Sequence, residues 1–297
     1  MLDNLSQTIS SPNHPTEKKT NVWNGTTLSN QSWEVHCGDA LKTLKSFEDQ
    51  SFNCCVTSPP YFWLRDYGVK NQIGKEETID DYVDAITNTM SEINRVLKSD
   101  GLLFLNLGDT YYSGRGKSHG KDKKSKKRRF GLRAVDKSGG MGIGLQKKSM
   151  IGIPWRVALS LMENGWALRS TIVWHRDKCL PEAVRDRPRR SYEFVFMFSK
   201  SRKYYFDREP LITQNFDEDV WTIPPERNGK TEIDTAPYPA ELVRRCLSIG
   251  CRKEGKVIDP FAGSGTTLSV AMNEGFSATG IELNEEFCKY MVNQLNK

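Results

Sequence analysis

From Trp33 onward, short apolar runs alternate with stretches in which apolar residues recur at helical spacing. Trp33-Glu34-Val35-His36 predicts a strand ending at Cys37-Gly38-Asp39, and Leu41, Leu44 and Phe47 predict a helix over Ala40 to Phe47. Phe52 to Val56 predicts a second strand. Pro59 and Pro60 stop it, because a proline cannot donate to a central ladder. Phe62 to Lys75 reads as an aromatic-rich loop. Ile79, Tyr82, Val83, Ile86, Met90, Ile93 and Leu97 share one face of a helix over Thr78 to Leu97, ended by Lys98-Ser99-Asp100-Gly101. Leu102 to Leu107 reads as a strand covered on both faces. Pro154, suited to a first turn, opens a helix to Asn164. Strands follow over Ala167 to Trp174 and Tyr192 to Ser199, with a further short one at Tyr204-Tyr205-Phe206. Residues 207 to 233 look irregular. Then come a helix over Pro239 to Ile249, a strand over Lys256 to Ile258, a helix containing Leu268 to Met272, a strand over Ala278 to Glu282 and a last helix over Glu285 to Leu295. Such alternation predicts an α/β fold, an open and mostly parallel sheet with helices on both faces.

Two stretches lie outside this pattern. Residues 1–30 are rich in Ser, Thr, Asn and Pro and are expected to form a disordered arm ahead of a domain spanning 31–297. Residues 111–150 shift to Gly, Lys, Arg and Ser, too long for an ordinary connection. Charge sharpens this second point. The chain of 297 residues carries a net +6, yet Lys117 to Arg133 holds nine Lys/Arg against Asp122. That segment is therefore +8 and the remainder −2. A near-neutral body with one basic insertion has the footprint of a polyanion binder; a solvated lysine tail is the plainer alternative. No apolar run approaches the roughly 20 residues of a membrane span. The polar start carries no secretory pattern, so a cytoplasmic protein is expected. The 7 cysteines include no CxxC pair, which predicts reduced thiols and no metal site.

Candidate chemistry begins at Asp259-Pro260-Phe261-Ala262-Gly263-Ser264-Gly265-Thr266-Thr267, a glycine turn between a strand and a helix. Gly263 and Gly265 let backbone approach a ligand, and the helix start offers free N–H groups. The next strand ends in Gly280-Ile281-Glu282, and a carboxylate there suits a ribose diol. No Gly-Lys-Ser/Thr follows, so a P-loop is disfavoured, and the third glycine of the dinucleotide pattern is missing. Asp259 would repel a pyrophosphate and attract a sulfonium and an amino group. S-adenosylmethionine is thus favoured over NAD, and an oxidoreductase is the weaker alternative.

The second stretch, Thr57-Ser58-Pro59-Pro60-Tyr61, sets a hydroxyl, two prolines and a ring at a strand's carboxyl end, where open α/β sheets bind ligands. With both motifs in hand, the chain from about Trp33 resembles the S-adenosylmethionine-dependent DNA methyltransferases that modify exocyclic amino groups. Ser58 to Tyr61 is similar to the family's catalytic motif and Asp259 to Gly265 to its cofactor motif. Catalytic before cofactor motif is the order of the circularly permuted beta group. The resemblance implies a Rossmann-like methyltransferase sheet and catalytic residues Ser58, Pro59, Pro60 and Tyr61. It implies cofactor contacts from Asp39, Asp259, Pro260, Phe261, Gly263, Ser264, Gly265, Thr266 and Glu282, in a unit spanning 235–297. Pro237-Tyr238-Pro239 resembles the segment that packs the cofactor's methionine end, and the Pro59 carbonyl is implied as an acceptor beside Ser58 Oγ.

Such acceptors suit the task, because an exocyclic amine is a poor nucleophile until its lone pair is localised. Tyr61 offers a face for a flipped-out base. No Pro-Cys pair is present for attack at a ring carbon. Serine at the first motif position goes mostly with cytosine N4 in the resembled family, with adenine N6 as the alternative. A non-catalytic nucleic-acid-binding protein with a vestigial cofactor fold is the rival of another class. Double-stranded DNA is the expected partner, and a companion restriction endonuclease is implied by the family. Lys123, Lys124, Lys126, Lys127, Arg128 and Arg129 are candidates for phosphate contacts, and Arg187, Arg189 and Arg190 for phosphates or guanine edges. Residues 200–234 occupy the place of a target-recognition segment. Trp63, Arg65 and Asp66 are candidates to fill the gap left by the base.

Overall fold

The computed structural model describes residues 21–27, 30–112, 145–146, 148–178, 184–226 and 237–296. Among them, nine strands form one sheet: β1 Asn21–Thr26, β2 Ser32–Cys37, β3 Phe52–Thr57, β4 Leu97–Leu107, β5 Ala167–His175, β6 Tyr192–Ser199, β7 Val220–Thr222, β8 Lys256–Asp259 and β9 Ser277–Glu282. Their order is β1-β2-β9-β8-β3-β4-β6-β5-β7. Five neighbouring strands, β2, β9, β8, β3 and β4, run parallel, and β1 and β6 run against them. Helices among the described residues are α1 Ala40–Leu44, α2 Ile79–Val96, α3 Ile153–Glu163, α4 Glu209–Thr213, α5 Ala240–Gly250, α6 Thr266–Asn273 and α7 Glu285–Leu295.

Alternation along the central strands makes two cores. Cys54 and Val56 of β3 with Leu102 and Phe104 of β4 face α5, α6 and α7 through Leu242, Leu268 and Met291. Cys55, Leu103 and Leu105 face the opposite way, onto α1, α2 and α3 through Leu44, Ile86 and Val157. Burial on both faces is why Cys54 to Val56 and Leu102 to Leu105 read as unbroken apolar runs. Thr78 caps α2 by accepting from the Asp81 N–H, and Ile79, Tyr82, Ile86, Met90 and Ile93 form its buried stripe.

Four expectations need correction. Order begins before residue 30: β1 pairs antiparallel with β2, Trp23 against Val35, so part of the expected disordered arm is an edge strand. Alternation there is weak because β1 is six residues long and largely exposed. The turn expected at Lys98-Ser99-Asp100-Gly101 is part of β4, which starts at Leu97 directly after α2. Pairing jumps from Phe52↔Leu97 to Cys54↔Leu102, so the extra residues are absorbed as an irregularity. Tyr204-Tyr205-Phe206 is not a strand; Tyr204 and Tyr205 lie against Arg169 and Arg252. Inside the irregular 207–233 stretch, α4 and β7 form, with Trp221 and Phe216 in the core. Most of the basic insertion, including Lys123, Lys124, Lys126, Lys127, Arg128 and Arg129, lies outside the described residues.

Candidate active site

β2, β9, β8 and β3 lie side by side and point the same way, so Asp39, Glu282, Asp259 and Ser58 follow each other along one rim of the sheet. The glycine corner and the serine–proline corner, about two hundred positions apart in sequence, are therefore immediate neighbours. Their junction is a hydrogen bond: Thr57 Oγ1 donates to Asp259 Oδ1 at 2.6 Å.

Asp259 is almost fully buried, and its carboxylate takes four donors: the Thr57, Thr267 and Tyr238 hydroxyls and the Phe261 N–H. Burial still pushes its carboxyl above the ordinary range, with those donors pulling the other way. The sequence reading had Asp259 attract a cofactor's cationic end. Its four lone-pair directions are engaged by the protein, and its geometry is that of a hub holding both corners together.

Beyond Asp259 the turn opens. Gly263 has φ +54°, and a Cβ there would meet only the Phe261 carbonyl oxygen at 3.9 Å, so this side of the turn is free for a ligand. Gly265 has φ +87° and is crowded: a Cβ would collide with Met291 Cγ of α7. Glu282 Oε2 accepts from the Gly263 N–H at 3.0 Å and Oε1 from the Asn284 N–H at 2.7 Å. Desolvation outweighs those bonds and pushes its carboxyl up to about 7. Asp39 caps α1, accepting from the Lys42 N–H at 2.9 Å, while the Gly38 N–H donates to the Glu282 carbonyl.

On the other corner, the Pro60 carbonyl accepts from the buried Tyr82 hydroxyl at 2.9 Å, which fixes the loop after β3. Ser58 is half-buried, and its Oγ lies 3.4 Å from Tyr61 Oη. Tyr61 Oη donates to Glu193 Oε2 at 2.6 Å and lies 3.2 Å from Asn106 Oδ1. Burial and the neighbouring Glu193 both push the Tyr61 phenol well up. Glu193 in turn holds Arg176 Nη1 at 2.9 Å. One ring edge of Tyr61 lies on Gly108, where a Cβ would come within 2.7 Å of Cε2.

The arginine loop reaches the same rim, because β6 runs antiparallel and starts beside the end of β4. Arg190 donates to the Asp109 carbonyl, Arg187 lies 3.8 Å over the Tyr111 ring, and Arg189 is exposed. Asp109 accepts from the Gly152 and Ile153 N–H groups and thereby caps α3, whose own N-cap Gly152 has no side chain to do so. Trp63 donates to the Glu76 carbonyl at 2.6 Å, the Arg65 carbonyl accepts from the Gln72 amide, and Asp66 pairs with Lys75. These contacts belong to the loop's own bonding.

Known proteins carry the same arrangement of chain. A family model described as DNA methylase, covering N6 and N4 enzymes, matches residues 52–293. The chain belongs to this DNA methylase family. Type II methyltransferase M.SmaI of Serratia marcescens is 41% identical over 265 residues, covering 86% of the methylase and 88% of the relative. Among solved structures, the PvuII DNA methyltransferase (cytosine-N4-specific) superposes with a TM-score of 0.66 at 22% identity, over 88% of the methylase and 85% of that chain. The M1.HpyAVI–SAM complex superposes at 0.56 with 16% identity, over 89% and 98% of the two chains. At those identities the structures speak to the fold, which they share with the methylase. No helix among its described residues is long and apolar enough to cross a membrane.

Sequence reasoning missed Thr57, Tyr238 and Thr267 as the Asp259 clasp, and Asn106, Arg176 and Glu193 behind Tyr61. A signal existed for two of them. Asn106 interrupts an otherwise apolar run and Glu193 stands second in an aromatic strand, and a polar residue inside a buried strand is the informative exception.

Proposed function

We propose that this DNA methyltransferase moves a methyl group from S-adenosylmethionine to the N4 amino group of cytosine in double-stranded DNA. It would act at a short specific sequence, inside a prokaryotic or phage-infected cell, as the modification partner of a restriction endonuclease. The observation that carries the reading is the Thr57–Asp259 bond, because it puts Ser58 directly beside the glycine corner. The residues present fit the cofactor: Gly263 leaves an open cradle, and the half-buried Glu282 sits across from it for the ribose diol. When bound there, S-adenosylmethionine supplies a methyl group on a cationic sulfur leaving group.

The chain's own residues supply position and acceptors. Ser58 Oγ and the Pro59 carbonyl accept the two amine hydrogens, which localises the nitrogen lone pair toward the incoming methyl. With the cofactor bound, its carbon–sulfur bond would break as the carbon–nitrogen bond formed, and the methylated amine would release one proton to solvent. No protein nucleophile is required. Tyr61, tied to Glu193 and lying on Gly108, forms a rigid wall against which an extruded base can rest. A base inside the duplex is out of reach, so flipping is part of the reading. Arg189 on the same rim, together with the basic 117–133 segment, supplies phosphate contacts.

A single measurement decides the base. Unmodified duplex DNA is incubated with the enzyme and S-adenosylmethionine, digested to nucleosides and analysed by mass spectrometry. N4-methyldeoxycytidine is the expected product; N6-methyldeoxyadenosine alone would overturn the base assignment and leave the family unaffected.

A further inference from the structure

Behind the serine–proline corner, four side chains from adjacent strands meet in a row: Tyr61 after β3, Asn106 of β4, Glu193 of β6 and Arg176 after β5. Glu193 is buried and takes Arg176 on one oxygen and Tyr61 on the other. The pair with Arg176 is one-armed. Arg176 Nη1 reaches Oε1, Nη2 lies 3.3 Å from the Arg190 carbonyl, and the buried Nε has no partner among the described residues. A two-armed fork would occupy both carboxylate oxygens. The one-armed geometry leaves Oε2 for the Tyr61 hydroxyl at 2.6 Å and the Asn106 amide at 3.4 Å.

Counting hydrogens fixes a direction. Tyr61 Oη has one proton and two acceptors in range, Glu193 Oε2 at 2.6 Å and Asn106 Oδ1 at 3.2 Å. The charged and shorter contact holds it. Toward Ser58, Tyr61 Oη then has only lone pairs. Ser58 Oγ, 3.4 Å away, also has one proton, and the direction left across that gap is from Ser58 to Tyr61. That contact is long for a hydroxyl pair, as catalytic hydrogen bonds often are before substrate binds. With its proton turned back toward Tyr61, Ser58 presents only lone pairs to the other side.

We propose that Glu193 is a positioning residue for methyl transfer: by holding the Tyr61 proton it makes Ser58 an acceptor-only group toward the target amine. Arg176 holds the carboxylate in place. The row explains a choice that a serine leaves open. Unlike a carboxylate, a hydroxyl can face an amine with either its proton or its lone pairs, and only the lone pairs help. Removing the charge releases the row. In Glu193→Gln the new amide satisfies Arg176 with its oxygen and turns its N–H₂ toward Tyr61 Oη, whose own proton goes to Asn106 Oδ1 or Ser58 Oγ; Ser58 then competes for Tyr61 as an acceptor and is free to turn its proton toward the amine. The proposal rests on Ser58 being the amine's acceptor.

The test measures single-turnover methyl transfer at saturating DNA and cofactor for wild type, Glu193→Gln, Glu193→Asp, Tyr61→Phe and the Glu193→Gln/Tyr61→Phe double variant. Glu193→Gln is expected to slow the step about 10²-fold, the scale of one lost transition-state acceptor. Cofactor and DNA dissociation constants should stay within about twofold of wild type, and Glu193→Asp should regain part of the rate. The double variant should be about as slow as the slower single variant, since both break one row. A Glu193→Gln rate within about threefold of wild type, multiplying losses in the double variant, or rate loss matched by weaker cofactor and DNA binding would each overturn the proposal. Should Glu193→Gln not fold, Tyr61→Phe alone carries the test with the same rate and binding outcomes. Ser58→Ala separates the layers. If it is as fast as wild type, the acceptor assignment itself falls; if it is slow while Glu193→Gln is fast, only the row falls.

Discussion

The Thr57 hydroxyl donates to Asp259 across 2.6 Å, joining the residue before Ser58 to the residue that opens the glycine corner. Thr57→Val keeps the shape and removes that donor, leaving a buried carboxylate short of one partner. A loss of about 2 kcal/mol in urea unfolding is expected. Because the bond joins both corners, the methyl-transfer rate should fall with it. Unchanged stability would show that Asp259 does not depend on this donor.

Ser58→Ala should lower turnover by about 10²-fold or more while cofactor and DNA affinities stay near wild type. Rate constants from rapid-quench assays, beside equilibrium titrations, check the split. A near-wild-type rate would remove Ser58 from the chemistry.

Gly265 combines φ +87° with a Cβ position that runs into Met291 Cγ. Gly265→Ala should therefore cost roughly 1–3 kcal/mol of stability through backbone strain and overpacking. Cofactor affinity by calorimetry should fall with it. Adding Met291→Ala relieves the contact but not the positive φ, so only part of the melting temperature should return.

Glu282 titrates at about 7 in the folded chain against an ordinary value of 4.5, with burial the leading cause. Its contribution to the free protein's stability is present below pH 4.5 and lost as pH rises through about 7, because the fold favours the neutral form. Cofactor binding runs the other way if the ionised carboxylate holds the ribose diol. Affinity should weaken about tenfold from about pH 8 to about pH 6, following the ionised fraction. Glu282→Gln should flatten both profiles. A pH-independent wild-type affinity would take the carboxylate out of cofactor binding.

Deleting residues 117–129 removes eight Lys/Arg. The dependence of DNA affinity on salt should become clearly shallower, and Arg189→Ala alone should reduce the slope by about one. An unchanged slope in both would return these charges to solvent.

Periodicity located most elements here because both sheet faces are covered, so strands such as Leu102 to Leu107 are apolar but for Asn106 and α2 has one clean stripe. It failed where local pattern and tertiary role diverge. Lys98 to Gly101 looks like a turn by composition, yet pairing with β3 draws it into β4. Trp23 and Val22 alternate too briefly to mark an edge strand. The motifs located Ser58 and Gly263 because their chemistry needs particular residue types. Much of the supporting cast was hidden for a different reason. Thr57, Tyr238 and Thr267 matter through bonds to residues 8 to 202 positions away, and no local pattern encodes such pairs.

Strand order has a consequence for how this chain is made. β2 and β3 are close in sequence but separated in the sheet by β8 and β9, which are translated about two hundred residues later. Until those two strands emerge from the ribosome, β3 has an edge of unpaired backbone N–H and C=O groups on that side and nothing to seat it. The nascent chain must therefore wait, sheltered or at risk of aggregation, for its final strands to slide into the middle.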